Sequence, residues 1–284
     1  MINVRNLQFS YPKSDIEAIK NLNFSITKGE VFGFLGPSGA GKTTTQRLII
    51  GLLRGYNGSI EIMGKERSQW DYNFYENIGV AFDFPNLYLK LTGEENLNLI
   101  GSYYRSFPKD IDGLLTRVGL QGERKKKVED YSKGMKMRLN FIRAIMHDPE
   151  ILFFDEPTSG LDPMNARIIK DMILELKKRG KTIFLTTHHM DVAEQLCDRV
   201  AFINEGTITA VDRPKSLMVQ YGKPMVRIEY EKQGALLSEK LPLDTLKDNP
   251  VFMDILKHHQ ILTIHSQEAT LEEVFILLNG RALL

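Results

Sequence analysis

The chain has 284 residues, 42% of them hydrophobic, and 37 Lys and Arg against 36 Asp and Glu leave a net charge of +1. That length predicts about two domains, or one large α/β domain with an appendage, and the near-neutral balance gives no electrostatic ground for nucleic-acid binding. The single cysteine excludes an intrachain disulfide framework and fits a reducing compartment, and no apolar run reaches the roughly 20 residues that span a bilayer.

Any membrane role is therefore expected to come through a partner. The opening MINVRNLQFSYP lacks the basic-then-apolar layout of a signal peptide. Residues 1–35 read as β-rich, with Lys28-Gly29-Glu30 as a turn. VFGFL (31–35) is continuously apolar and leads into a glycine-rich loop, so it predicts a buried strand. Helical spacing follows over Thr43–Leu53, and SIEIM and IGVAFDF give two further strands. From Thr92 to His147 the pattern is mostly helical, opened by a capping box of Thr92 with Glu95. The basic run Arg124–Lys127 within it reads as a solvated helix end or loop.

ILFFD (151–155) is the next buried strand, followed by a helix over Pro163–Arg179 and a strand in KTIFLTT. This alternation predicts a parallel sheet with crossover helices. VAFINEGTITAV reads as a hairpin with Glu205-Gly206 at its tip. Cys197 lies in a helical pattern and is expected to be a small buried filler. After Tyr221-Gly222 the character shifts to a small α+β appendage. The expected division is 1–220, with a helical subdomain over 84–148, and 223–284.

The phosphate chemistry is carried first by Gly36-Pro37-Ser38-Gly39-Ala40-Gly41-Lys42-Thr43, an ungapped Walker A pattern between a predicted strand and a predicted helix. Backbone amides from Gly39 to Thr44 are expected around a β-phosphate, at a helix N-terminus that favours an anion. Lys42 is expected to reach the β- and γ-phosphates, and Thr43 to bind Mg²⁺. Asp155 ends the ILFF strand, where a carboxylate can hold Mg²⁺, and Glu156 is set to polarise an attacking water. His258-His259 lacks an accompanying carboxylate or cysteine cluster and reads as an exposed helix end.

Over about residues 2–220 the chain resembles the nucleotide-binding subunit of ABC transporters. The resemblance implies an α/β P-loop NTPase cassette with a mixed β-sheet core, a β-rich N-terminal part and an inserted helical subdomain. It implies that Tyr11 stacks on adenine. Ser132-Lys133-Gly134-Met135 occupies the position of the family's signature, which serves the γ-phosphate held by another subunit. Ser159-Gly160-Leu161-Asp162 matches the loop that crosses that dimer interface, and His188 matches the histidine that contacts the γ-phosphate, ahead of His189. The segment around Phe84–Arg105 is implied to form a groove for a helix of the membrane subunit.

Three positions depart from the family pattern. Lys133 stands where glycine is usual, Met135 where glutamine is usual, and Asp83 where a glutamine is general. Lys133 either adds positive potential near the phosphates or points to solvent. Asp83 can still face Mg²⁺, and its extra charge must be neutralised by the ion. These departures, with ATLEEVFILLNGR (269–281), resemble the ATPase subunits of ABC-2 type drug, antibiotic and peptide exporters.

The implied protein is an ATP hydrolase using ATP and Mg²⁺. It would act as a homodimer or heterodimer, peripheral on the cytoplasmic face of the membrane, and drive an integral permease without nucleic acid. The competing expectations are a soluble ABC-type ATPase without a membrane partner and a weakly active regulatory or immunity subunit.

Overall fold

The computed structural model describes residues 1–105, 110–222, 224–267 and 269–280. Parts of the expected segments (106–109, 223, 268 and 281–284) lie outside the described residues. The chain divides into one unit from Met1 to Val211 and a second from Asp212 onward.

The first unit opens with strands β1 (Ile2–Ser10), β2 (Glu17–Ile26) and β3 (Val31–Leu35), then helix α1 (Lys42–Ile50). Strands β4 (Asn57–Ile62), β5 (Lys65–Glu66) and β6 (Ile78–Ala81) follow. Next come the helices α2 (Gly93–Gly101), α3 (Ile111–Arg117) and α4 (Lys133–Ile145). The rest alternates through β7 (Ile151–Asp155), α5 (Pro163–Lys178), β8 (Thr182–Thr187) and α6 (Met190–Leu196), then β9 (Arg199–Asn204) and β10 (Thr207–Asp212).

Two sheets result: an antiparallel one in the order β2-β1-β4-β5, and a six-stranded one in the order β10-β9-β3-β8-β7-β6. In the second sheet the β9–β3, β3–β8, β8–β7 and β7–β6 pairs are parallel. The continuous apolar runs of β3 and β7 are buried along their whole length, as a strand covered on both faces requires. One face packs on the antiparallel sheet through rings. Phe32 and Phe34 of β3 and Phe184 of β8 meet Phe24 of β2 at centroid separations of 5.4–6.3 Å. On the other face of β3, Gly33 makes room for the end of α6, because a Cβ there would stand 2.7 Å from Cys197 Sγ.

Register places the functional loops side by side. Leu35 pairs with Thr187, Asp155 with Thr186, and Ala81 with Phe154. The loops that leave β3, β8, β7 and β6 therefore start at one edge of the sheet, the carboxyl ends where open α/β sheets bind ligands. Beside them the β9–β10 turn holds Glu205 and Gly206 at φ 47° and 79°, the left-handed pair that a tight hairpin needs.

Two elements differ from expectation. The helix expected over Thr43–Leu53 stops at Ile50, where Gly51 adopts φ 86° and closes it. The segment expected to be helical from Phe84 is irregular up to the capping box of Thr92 with Glu95, with a turn at Leu89-Lys90, and between Phe84 and Arg105 only Gly93–Gly101 is α-helical. Pro85 disfavours helix at its start. The Asn96 side chain holds the stretch instead, accepting from the Tyr88 amide at 2.9 Å and donating to the Tyr88 carbonyl at 3.0 Å.

The second unit contains α7 (Pro214–Tyr221), β11 (Met225–Lys232), β12 (Ala235–Pro242), α8 (Pro250–His258), β13 (Gln260–Gln267) and α9 (Leu271–Asn279). Strand β11 is central and antiparallel to both neighbours, and Val226, Ile228, Tyr230, Leu241 and Ile255 form a core of their own. The division falls ahead of the expected boundary at 220 because α7 packs on α9. His258 ends α8, and His259 lies against the Tyr230 ring. Among the described residues no helix is long and apolar enough to cross a membrane.

Candidate functional site

The loop from β3 to α1 is shaped by its glycines. A Cβ on Gly36 would stand 2.1 Å from the Ile203 carbonyl oxygen, so only glycine lets the loop leave β3 this close to β9. The Ala40 amide donates to Pro37 O at 3.2 Å, which closes a turn around Ser38 and Gly39, and the Gly206 amide donates to Ala40 O at 3.0 Å. Gly41 precedes α1 at φ 108° and offers no side-chain cap. The first-turn amides, which a helix cannot pair internally, are thus left for an anion.

Lys42 opens α1 and is nearly buried. Its Nζ donates to Gly36 O at 2.6 Å and Pro37 O at 3.0 Å. Burial pushes its pKa down, opposed by the charges of Glu156 and Asp155. Thr43 Oγ1 donates to Asp155 Oδ2 at 3.1 Å. Thr44 shares a hydrogen bond of 2.9 Å with the Tyr11 hydroxyl, whose ring is 39% exposed and edge-on to Phe9. That exposed ring stands beside the first turn of α1.

Asp155 is 1% exposed at the end of β7. Thr186 and Thr43 donate to its two oxygens. Burial raises its pKa, and the Asp83 and Glu156 charges add to the rise against those two hydrogen bonds. Glu156 follows at φ 49°, a left-handed conformation held in place by its partners. Its amide donates to Thr186 O at 2.9 Å. Its Oε1 accepts from the His188 amide at 2.9 Å and lies 2.7 Å from His188 Nδ1, while Oε2 accepts from Thr187 Oγ1 at 2.9 Å. The His189 amide donates to Thr187 Oγ1 at 3.0 Å, and its ring lies 4.0 Å from that of His188. Glu156, His188 and His189 gather ligand atoms within 4.8 Å of one another, but Glu156 is already engaged on both oxygens.

The Ser132 turn caps α4. Ser132 Oγ accepts from the Met135 amide at 3.2 Å. Gly134 faces Leu161, to which an added Cβ would make an ordinary 3.5 Å contact. Asp162 caps α5, accepting from the Met164 and Asn165 amides at 3.1 and 3.0 Å. The Asn165 contacts hold its carboxyl below the usual range. Ser159 is tied back by its amide to Glu156 O at 3.0 Å.

Lys133 lies over Gly160, where an added Cβ would be 3.0 Å from its Cε. Expected with the signature to serve another subunit, Lys133 borders its own chain's cavity of 370 Å³, together with Lys42, Thr43, Asp83, Asp155, Glu156, Ser159 and His188. Asp83 is exposed, and its Oδ1 accepts from the Phe84 amide at 2.8 Å.

A family model described as ABC transporter matches residues 19–159, and one described as Fluoroquinolone efflux ABC transporter C-terminal domain matches 224–268. The Fluoroquinolones export ATP-binding protein of Mycobacterium tuberculosis (strain H37Rv) is 50% identical over 284 residues, covering 100% of this chain and 94% of its own. The chain belongs to the ABC transporter ATP-binding family. It is an ATP-binding, ATP-hydrolysing cassette of the family's exporter branch. The Nod factor export ATP-binding protein I of Rhizobium johnstonii is 40% identical over 215 residues, which cover 74% of this chain and 69% of that protein. A solved dimeric ATP-binding cassette in a post-hydrolysis state, bound to ADP and Pi, aligns with a TM-score of 0.68 at 27% identity, covering 75% of this chain and 98% of that one.

Sequence reasoning about the cassette passed over Thr186 and Thr187, whose hydroxyls hold Asp155 and Glu156. Two polar residues closing the apolar run of β8 were the available sign, because a buried hydroxyl needs a partner. It also passed over the capping role of Asp162, to which Asn165 donates, at the end of the loop whose crossing position was expected.

Proposed function

We propose that the cassette dimerises around two Mg·ATP and drives a separate integral membrane permease that exports a drug-sized compound such as a fluoroquinolone. The carrying observation is the junction of Thr43, Asp155, Glu156 and His188 at the mouth of the glycine loop. Lys42 leaves the loop carbonyls for the β- and γ-phosphates, and Tyr11 stacks on adenine. Glu156 accepts the proton of the attacking water, while His188 holds that carboxylate and contacts the γ-phosphate. Thr43 Oγ1 and Asp155 Oδ2, 3.1 Å apart with Asp83 close enough to raise Asp155, form an oxygen donor set that suits a hard divalent cation. Bound Mg²⁺ offsets negative charge on the phosphates.

Ser132 and Gly134 complete the nucleotide held by a second copy, with Lys133 and Met135 beside them, and Ser159–Asp162 cross the interface. Support comes from the dimeric state of a similar cassette. Residues 1–220 act as the ATPase, peripheral on the cytoplasmic face, and 223–284 as an accessory domain. The exporter and drug readings are supported by the relative of Mycobacterium tuberculosis and by the C-terminal family model.

Glu156→Gln tests the reading. The variant is expected to bind Mg·ATP, to sediment as a dimer, and to hydrolyse at least about 100-fold more slowly, the size of a general-base contribution. A variant that stays monomeric at saturating Mg·ATP refutes the sandwich, and normal turnover refutes the role of Glu156.

A further inference from the structure

Two of the residues that set this chain apart from the family pattern, Asp83 and Lys133, border one cavity. They come from different elements, Asp83 from the loop after β6 and Lys133 from the first residue of α4. Helix α4 holds both. Its Asn140 side chain, 1% exposed, donates to Phe82 O at 2.9 Å beside Asp83, and its Arg143 donates to Asn86 O farther along the same loop. The Lys133 stem crosses the Gly160 backbone, and an added Cβ at 160 would stand 3.3 Å from Nζ itself. No hydrogen bond or ion pair among the described residues engages that ammonium.

The cavity otherwise gathers the carboxylates of Asp83, Asp155 and Glu156 against one lysine, Lys42. A triphosphate entering it brings more negative charge. Glutamine at 83 and glycine at 133 would leave the cavity's total charge as it is, because the two departures cancel.

We propose that Lys133 is a second phosphate-binding lysine acting on the nucleotide of its own chain, its charge offsetting Asp83 at the terminal-phosphate end of the cavity. This rests on the reading of the glycine loop as the nucleotide site. It differs from the signature's service to the other subunit, because it operates in a single chain.

The test is calorimetric titration of the full chain with AMP-PNP and with ADP, with Mg²⁺ and with EDTA, at concentrations where light scattering reports a monomer. Lys133→Met is expected to weaken AMP-PNP binding about fivefold, the equivalent of one partly exposed ion pair, while ADP changes by less than about twofold. Lys133→Arg is expected to bind as the parent does. Adding Asp83→Asn to Lys133→Met is expected to recover most of the loss, most clearly in EDTA. Parent-like AMP-PNP binding by monomeric Lys133→Met overturns the proposal, as does a loss seen only where dimers form, or a loss that Asp83→Asn leaves in place. Thermal melts and Lys133→Gln guard against a folding defect. Lys42→Ala separates the two readings: if it leaves ADP binding intact, the glycine loop is not the nucleotide site.

Discussion

The N-termini of α1 and α4 solve the same problem in opposite ways. Each presents backbone amides that the helix cannot pair. At α1 the cap is Gly41 and no side chain reaches back, whereas at α4 the Ser132 hydroxyl occupies the Met135 amide at 3.2 Å. The first end is open in the lone chain, and a lysine is folded against the loop beside it. The second is satisfied within its own chain, so a phosphate arriving there must compete with an existing hydrogen bond. Under the proposed function, the end that binds first and the end that completes the site later differ in their caps.

Mutations can break this contrast. The largest expected effect belongs to Lys42→Ala, which should lower kcat/KM for ATP by at least about 100-fold, comparable to losing a positioned charge stabiliser. A steady-state ATPase assay checks it, and a small change would mean that the open end of α1 needs no cation. Gly36→Ala comes next. Its Cβ would meet the Ile203 carbonyl at 2.1 Å, so the loop must move, at a cost of about 1–3 kcal/mol of overpacking. Both the melting temperature and ATP affinity should fall, and an unchanged melt would show that the loop is not pinned to β9.

Tyr11→Ala is expected to weaken ATP by about tenfold, within the range of base–aromatic stacking, while Tyr11→Phe stays within about twofold. Equal losses in the two variants would assign the effect to the hydroxyl shared with Thr44 instead of the ring. Ser132→Ala is the smallest in stability, about 1 kcal/mol for a lost N-cap. Its ATP affinity in the monomer should hold while turnover falls. Reduced monomer affinity would erase the distinction between the two helix ends.

Much of this was legible because the residues concerned are constrained locally. The VFGFL and ILFFD strands, the Gly36–Thr43 loop and the Thr92–Glu95 box each carry their own chemical reason over a few positions. What was not legible depends on distant partners. The irregular stretch after Phe84 is fixed by Asn96, and the grouping of α7 with the second unit by α9. The direction of Lys133 depends on an absent Cβ at Gly160. Asn96 acts across eight residues, and the other two pairs join separate segments of the chain.

Gly33 gives the chain an internal reporter. The space it opens is filled by the sulfur of Cys197, the one cysteine of the sequence, buried at the end of the short helix that follows His188 and His189. Burial pushes that thiol well above its ordinary range. A thiol reagent can reach it only when the end of α6 lifts from β3. The rate of labelling with and without ATP therefore clocks how often the histidine segment opens, without introducing a probe into the protein.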